Sequence, residues 1–423
     1  MVSANTHPPS TLMPKLHLVL KEGYGWSDLK ADLVAGLTVA VVALPLSMAL
    51  AIASGATPDK GLVTAVAAGF MISLLGGSRV QIGGPTGAFV VVVSGVIGQF
   101  GYAGLVTATL MAGVMLLLAA FLRLGRFVHL VPEPVIAGFT TGIAIIIGVS
   151  QLPDALGIRL ATHSADVVPK LQALAGQIGQ IAPLTASMAI GCIICIELIK
   201  NRAPKLPSLL IVTAIAAALA FGFHLHVDTI ASRFGGLPRV MPAPHIPQID
   251  MAIAMKLLPA AASIAFLAGI ESLLSAKVAD ALTGGRHRSN AELLAQGAAN
   301  IASAFFGGLP ATGAIARTAT NIKAGAKSPL AGIFHAVFVL LAMMLFAPIM
   351  ATAPMPALAA ILLIVAWNMS EAHKLPAVLR GPIAESAVMF TTLVLTVTVN
   401  LTVAIAGGIV LHLIVSRFRK AHA

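Results

Sequence analysis

Charge is scarce in this chain. Asp, Glu, Lys and Arg make up 10% of its 423 residues, and only 15 residues are acidic. An ordinary soluble domain carries about 25% charge, so a soluble body of this length could not cover its surface. Cysteine is rarer still. Cys192 and Cys195 are the only two, one turn apart in the apolar run IGCIICIELI. A redox or metal pair needs polar or electropositive surroundings to hold a thiolate, and this run is apolar on both sides of the pair, so they read as small buried hydrophobes. A disulfide scaffold is excluded by the same count. The chain shows no P-loop, dinucleotide fingerprint, Ser-His-Asp constellation or zinc spacing. An enzyme reading therefore has no support, and neither cofactor nor metal is expected. The first 27 residues contain no apolar stretch of the kind a cleavable signal peptide needs.

What is abundant is hydrophobicity: 58% apolar residues and a mean hydropathy of +0.96. These values predict an all-α integral membrane protein. In a soluble chain the net charge of +11 would suggest nucleic acid. Here it reads as basic loops facing anionic lipid, so membrane lipid is the expected partner and nucleic acid is not. Apolar runs delimited by Gly, Pro and charge fall at 31–54, 61–76, 81–98, 103–122, 134–152, 181–199, 207–225, 256–276, 291–306, 311–324, 330–349, 355–368, 383–398 and 399–416. That gives fourteen transmembrane segments, several too short to span alone.

The basic residues orient them. Of 26 Lys and Arg, six (Lys60, Arg159, Lys170, Arg233, Arg239 and Lys256) fall on one side. Arg317 lies inside segment 10, and the rest fall on the side of the termini. By the positive-inside rule both termini are cytoplasmic, as in a multi-pass protein of a bacterial inner membrane. The expected organisation is a cytoplasmic segment 1–27, a first repeat 28–225, an extracytoplasmic linker 226–255, a second repeat 256–416 and a tail 417–423. Seven spans per half invert the second half relative to the first.

The halves echo each other. Segment 3 opens with Gly83-Gly84-Pro85-Thr86-Gly87-Ala88, and segment 10 with Gly307-Gly308-Leu309-Pro310-Ala311-Thr312-Gly313-Ala314. Paired Gly/Pro interruptions at equivalent places in inverted repeats point to a transporter's binding site. Pro is tolerated in a first helical turn, so Pro85 and Pro310 are read as marking two helix starts. Facing N-termini would supply unpaired N–H groups and partial positive charge, an anion site. Close helix crossing is the plainer reading of the same glycines.

Among the fifteen acidic residues only Glu271 falls well inside an apolar span, and Arg317 is its basic counterpart. Glu271 lies in SIAFLAGIESLLSA and Arg317 one turn into segment 10. A charge at the bilayer centre costs about 2.5–3.5 kcal/mol on insertion scales, which marks such residues for function. Glu271 could carry a coupling proton or ligate Na⁺, and Arg317 could hold an anionic substrate. A structural Glu271–Arg317 ion pair is the plainer alternative. Ser275 and Ser47 are secondary candidates, each read more simply as a helix hydroxyl bonded to its own backbone. His335 and His412 read as packing.

At these residues the sequence resembles the SulP (sulfate permease) anion transporters, bacterial relatives of solute carrier family 26. The stretches DLVAGLTVAVVALPLSMALAIASG, QIGGPTGAFVVVVSG, ESLLSAKVADALTG, NIASAFFGGLPATGAIARTATNIKAGAKSP and WNMSEAHK carry the resemblance, which covers nearly all of 20–416. It implies a seven-plus-seven inverted repeat with a core domain (segments 1–4 and 8–11) moving against a gate domain (5–7 and 12–14). Half-helices 3 and 10 would meet at mid-membrane. Substrate binding would then fall on Pro85, Thr86, Gly87, Ala88, Thr312, Gly313, Ala314 and Arg317, with Ser47, and coupling on Glu271 and Ser275. WNMSEAHK and the Glu in segment 8 look most like the branch that carries C4-dicarboxylates with protons. The expectation is therefore proton-coupled fumarate or succinate symport by elevator-like alternating access. Sodium–bicarbonate symport, proton–sulfate symport and a passive anion channel remain as alternatives. Family members usually continue into a cytoplasmic STAS domain, whereas this chain stops at Ala423. A homodimer is a further expectation.

Overall fold

The computed structural model describes residues 12–126, 132–160, 167–204, 206–370, 382–399 and 401–421. Lys205, Glu371, His373, Lys374 and Arg380 lie outside the described residues, and so does most of the 1–27 segment's start. The first half holds α1 (Lys15–Glu22), α2 (Trp26–Ala53), α3 (Pro58–Leu75), β1 (Gly83–Gly84), α4 (Val90–Phe121), α5 (Glu133–Leu156), α6 (Val167–Ala175), α7 (Pro183–Arg202), α8 (Ser208–Gly222) and α9 (Ile230–Phe234). The second half holds α10 (Met251–Thr283), α11 (Ser289–Phe305), β2 (Thr312–Gly313), α12 (Ile315–Lys323), α13 (Leu330–Met350), α14 (Met355–Met369), α15 (Ile383–Thr398) and α16 (Leu401–Ala421).

Every one of the fourteen apolar runs contains helix. Local signals set the ends: Pro in the first turn of α3, α5, α7 and α14, and left-handed Gly157 and Gly284 after α5 and α10. Spans 3 and 4 are one helix interrupted at Gly101, whose φ of 70° and ψ of −177° break it. That conformation suits glycine, and it falls between the two predicted runs. Seven helices among the described residues are long and apolar enough to cross a membrane alone.

Both predicted helix starts differ from expectation: segment 3 turns helical only at Gly87, with Thr86 at the N-cap and Pro85 ahead of it. Segment 10 becomes helical only at Ile315, with Ala314 as its N-cap, so Pro310 does not open the helix. Residues 312–313 are held extended instead, as the strand β2. α12 has nine residues, about 14 Å, well under a full span.

The spans sort into two packed groups. α2, α3, α4 and α10–α13 pack mainly on one another, and α5, α7, α8 and α14–α16 form the second group. These are the seven-plus-seven repeat's core and gate. Small residues bring the helices together. A Cβ at Gly61 of α3 would lie 1.9 Å from the Ser47 carbonyl oxygen of α2, and one at Gly138 of α5 would lie 2.4 Å from that of Met389 in α15. Backbone cannot move aside as a side chain can. Gly61→Ala is expected to lower stability by about 1–3 kcal/mol, read as a drop in the melting midpoint of the detergent-purified protein. An unchanged midpoint would mean that α2 and α3 tolerate separation.

Asp32, near the start of α2, is fully buried. Its carboxylate accepts from the Tyr24 hydroxyl (2.8 Å), the Lys327 N–H (2.7 Å), the Ser328 N–H (3.1 Å) and the Ser328 hydroxyl. Four donors make this a protein-solvated anion that fixes the turn before α13. Burial, and then the hydrogen bond to this carboxylate, push the Tyr24 hydroxyl above its ordinary range.

Candidate anion site between two unwound leads

The site begins with backbone that is not helical at membrane depth. β1 pairs antiparallel with β2, Gly83 opposite Gly313 and Gly84 opposite Thr312. Each repeat thus contributes one strand. Backbone polar groups there have no water to turn to, so the protein must satisfy them. Ala314 N–H donates to the Ile82 carbonyl (2.8 Å). Ile82 N–H donates to Thr318 Oγ1 (3.1 Å), and Asn321 Nδ2 to the Val80 carbonyl (2.9 Å). On the other lead Asn300 grips Ala311 twice: Nδ2 donates to its carbonyl and Oδ1 accepts from its N–H, both at 2.9 Å. Thr64 Oγ1 accepts from Leu309 N–H (2.7 Å), and Ser303 Oγ donates to the Leu309 carbonyl (2.6 Å).

Two glycines are required by this crossing. Gly84 has φ of 150°, and a Cβ on it would lie 2.5 Å from Arg317 Nη1; a Cβ on Gly313 would lie 1.6 Å from Gln81 Nε2.

The predicted residues converge on this crossing. Thr86 caps the turn Gly87–Phe89 that leads into α4, and its Oγ1 donates to Glu271 Oε2 at 2.8 Å. Glu271 is half-buried, whereas Arg317 is 3% exposed. Arg317 Nη2 donates to the Pro85 carbonyl, and its Nη1 is buried without a partner. No ion pair within 4 Å joins Glu271 to Arg317 among the described residues. The carboxylate and the guanidinium instead hold successive residues of the same lead, Thr86 and Pro85. Gly87 and Ala88 form the first buried turn, where a Cβ on Gly87 would meet Met369 Sδ of the gate at 2.8 Å. Thr312 Oγ1 donates to the Ala268 carbonyl of α10 (2.8 Å).

The two serines depart from the plainer reading. Ser275 Oγ donates to Thr318 Oγ1 at 3.1 Å, tying α10 to α12 rather than to its own backbone. Ser47 Oγ is buried without a partner, in the turn of α2 whose backbone carbonyl packs against Gly61. His335 is fully buried in α13 with both ring nitrogens unpartnered.

Sequence reasoning passed over the residues that hold the leads. Glu292, Gln296 and Asn300 recur every four residues on one face of α11, and all three are fully buried. That polar stripe through an Ala-rich helix was the available signal. Glu271 is therefore not the only acid inside the core, since Glu292 and Asp32 lie there too.

Residues 29–392 match the Sulfate permease family. The putative sulfate transporter YvdB of Bacillus subtilis is 45% identical over 394 residues, covering 92% of this chain and 74% of that one. The bicarbonate transporter BicA of Picosynechococcus is 32% identical over 398 residues, covering 90% and 69%. The solved transmembrane domain of a cyanobacterial BicA superposes with a TM-score of 0.79 at 30% identity, covering 92% of this chain and 98% of that one. Murine Slc26a9, an anion transporter in its inward-facing state, superposes with a TM-score of 0.88 over 96% of this chain and 71% of that one. At 18% identity that second likeness speaks for the fold alone. This multi-pass membrane protein belongs to the sulfate permease family of anion transporters, and its two unwound leads meet inside the core of that fold.

Proposed function

We propose that the chain is a proton-coupled symporter of a compact oxyanion, with sulfate as the first candidate, working by alternating access of the core against the gate. The observation that carries the reading is the half-buried Glu271 carboxylate hydrogen-bonded to Thr86 at the start of one half-helix, with a buried Arg317 behind the same lead. An ionised Glu271 repels an anion entering between the half-helices. Protonation removes that repulsion, so anion and proton enter together.

The substrate argument rests on charge. A C4-dicarboxylate, the expectation from WNMSEAHK, is best held by a cationic partner at each end, and among the described residues Arg317 is the one cation found at this crossing. The acidic and basic residues of WNMSEAHK (Glu371, His373 and Lys374) all lie outside the described residues. The relatives reported above are named for sulfate and bicarbonate. On the positive-inside argument both termini face the cytoplasm of a bacterial inner membrane.

Uptake into proteoliposomes under an inward proton gradient tests the reading. Labelled sulfate should accumulate without sodium, and unlabelled succinate should not compete. Accumulation of succinate in preference to sulfate would restore the dicarboxylate reading. A strict sodium requirement would assign the coupling ion to Na⁺, and flux that never exceeds equilibrium would make the protein a passive channel.

A further inference from the structure

Ser272 follows Glu271 on α10, about 100° further round the helix, and its hydroxyl enters a buried polar knot. Its hydroxyl accepts from Gln81 Nε2 (2.8 Å) and Gln296 Nε2 (2.7 Å), and lies 3.3 Å from Glu292 Oε2. Glu292 is fully buried. Its other oxygen accepts from the Ser78 N–H at 2.6 Å. No Lys, Arg or His nitrogen of the described residues lies within 4 Å of it. The ionisable groups on the surrounding elements are engaged elsewhere. His287 pairs with Asp280 at 2.6 Å, Arg288 donates to the Met13 carbonyl, Arg79 pairs with Glu22 and Arg317 bonds Pro85. Lys15 of α1 is buried beside Arg288 and Arg79.

The donor count bears on the protonation state. If Glu292 is ionised, two donors alone meet its charge, the Ser78 N–H and the Ser272 hydroxyl, and an unpaired buried charge is costly. The amide oxygens of Gln81 and Gln296, both buried without a partner, give it no help. One added proton removes the charge. Glu292 Oε2 then donates to Ser272 Oγ, and one amide turns over so that its oxygen accepts the Ser272 hydrogen while the other amide continues to donate to Ser272. The number of unpartnered amide groups is the same in both states, so the charge is what separates them. Asp32 provides the contrast, a buried carboxylate with four donors and no need of a proton.

We propose that Glu292 carries a proton in this state, forming a second proton-binding site of the core, wired through Ser272 to the segment bearing Glu271 and through Gln81 to β1. Loss of that proton would disturb the lead that positions Thr86, so Glu292 acts as a positioning residue for transport. The inference stands apart from the identity of the transported anion, since its test needs no transport.

Infrared spectra of Glu271→Gln protein at neutral pH should contain the carbonyl band of a protonated buried carboxyl group. Adding Glu292→Gln should remove that band. In a Ser272→Ala variant of the same protein, which decides the matter if Glu292→Gln does not fold, the band should shift because its hydrogen-bond acceptor is gone. Absence of the band, its survival in Glu292→Gln, or an unmoved band in Ser272→Ala would each overturn the proposal.

Discussion

Replacing Arg317 with alanine is expected to weaken anion binding by about 10- to 100-fold while leaving the protein inserted and monodisperse. A hydrogen bond to a charged group contributes about 1.5–3 kcal/mol, and about 1.4 kcal/mol is a factor of ten in affinity. Nη2 already holds the Pro85 carbonyl, so the truncation acts in two ways. It removes the positive charge behind the half-helix, and it frees the backbone that aims Thr86. The spare donor is Nη1, buried and unpartnered. Arg317→Lys should fall between wild type and Ala, because a point charge keeps the field but cannot fork between Pro85 and an anion. Direct binding of labelled sulfate to purified protein gives the numbers. Wild-type affinity in Arg317→Ala would remove this residue from the site.

Glu271→Gln is expected to abolish accumulation against a gradient and to preserve exchange of internal for external anion. The amide oxygen can still accept from Thr86 Oγ1, so the lead stays in place while the titrating charge is lost. Two unit charges about 5 Å apart at an effective dielectric near 20 repel by about 3 kcal/mol, about a hundredfold in affinity. Wild-type apparent affinity should therefore rise as external pH falls, by up to that factor, and the Gln variant should show a flat profile. The sign follows from protonation being what removes the repulsion. A Gln variant with the wild-type pH profile would exclude Glu271 as the coupling group.

The spans were legible because each needs only its own residues. Apolar runs ending at Gly, Pro or charge are local features, and even the break at Gly101 fell in the gap between runs 81–98 and 103–122. The crossing of the two leads was also legible, since Gly-Gly and Thr-Gly-Ala recur. Its fine structure was not. Pro310 suggested a helix start that pairing between β1 and β2 postpones to Ile315, a contact between residues of different repeats. Glu292 and Asp32 sit near the ends of their spans, where acids ordinarily face water. Only the return of residues 76–81 and 326–329 over them makes them interior. Ser275 looked self-satisfied until Thr318 arrived beside it, again from beyond the next helix.

The strand pair also bears on how the protein is made. Ile82 N–H waits for Thr318, 236 residues later, and the Val80 carbonyl waits for Asn321, 241 residues later. During synthesis the first repeat therefore enters the bilayer with an open wound at its centre. The ribosome must deliver nearly the whole second repeat before the wound is dressed. A chain halted before α12 would hold exposed amides in lipid, an obvious mark for quality-control proteases, so neither repeat should persist in a membrane without the other.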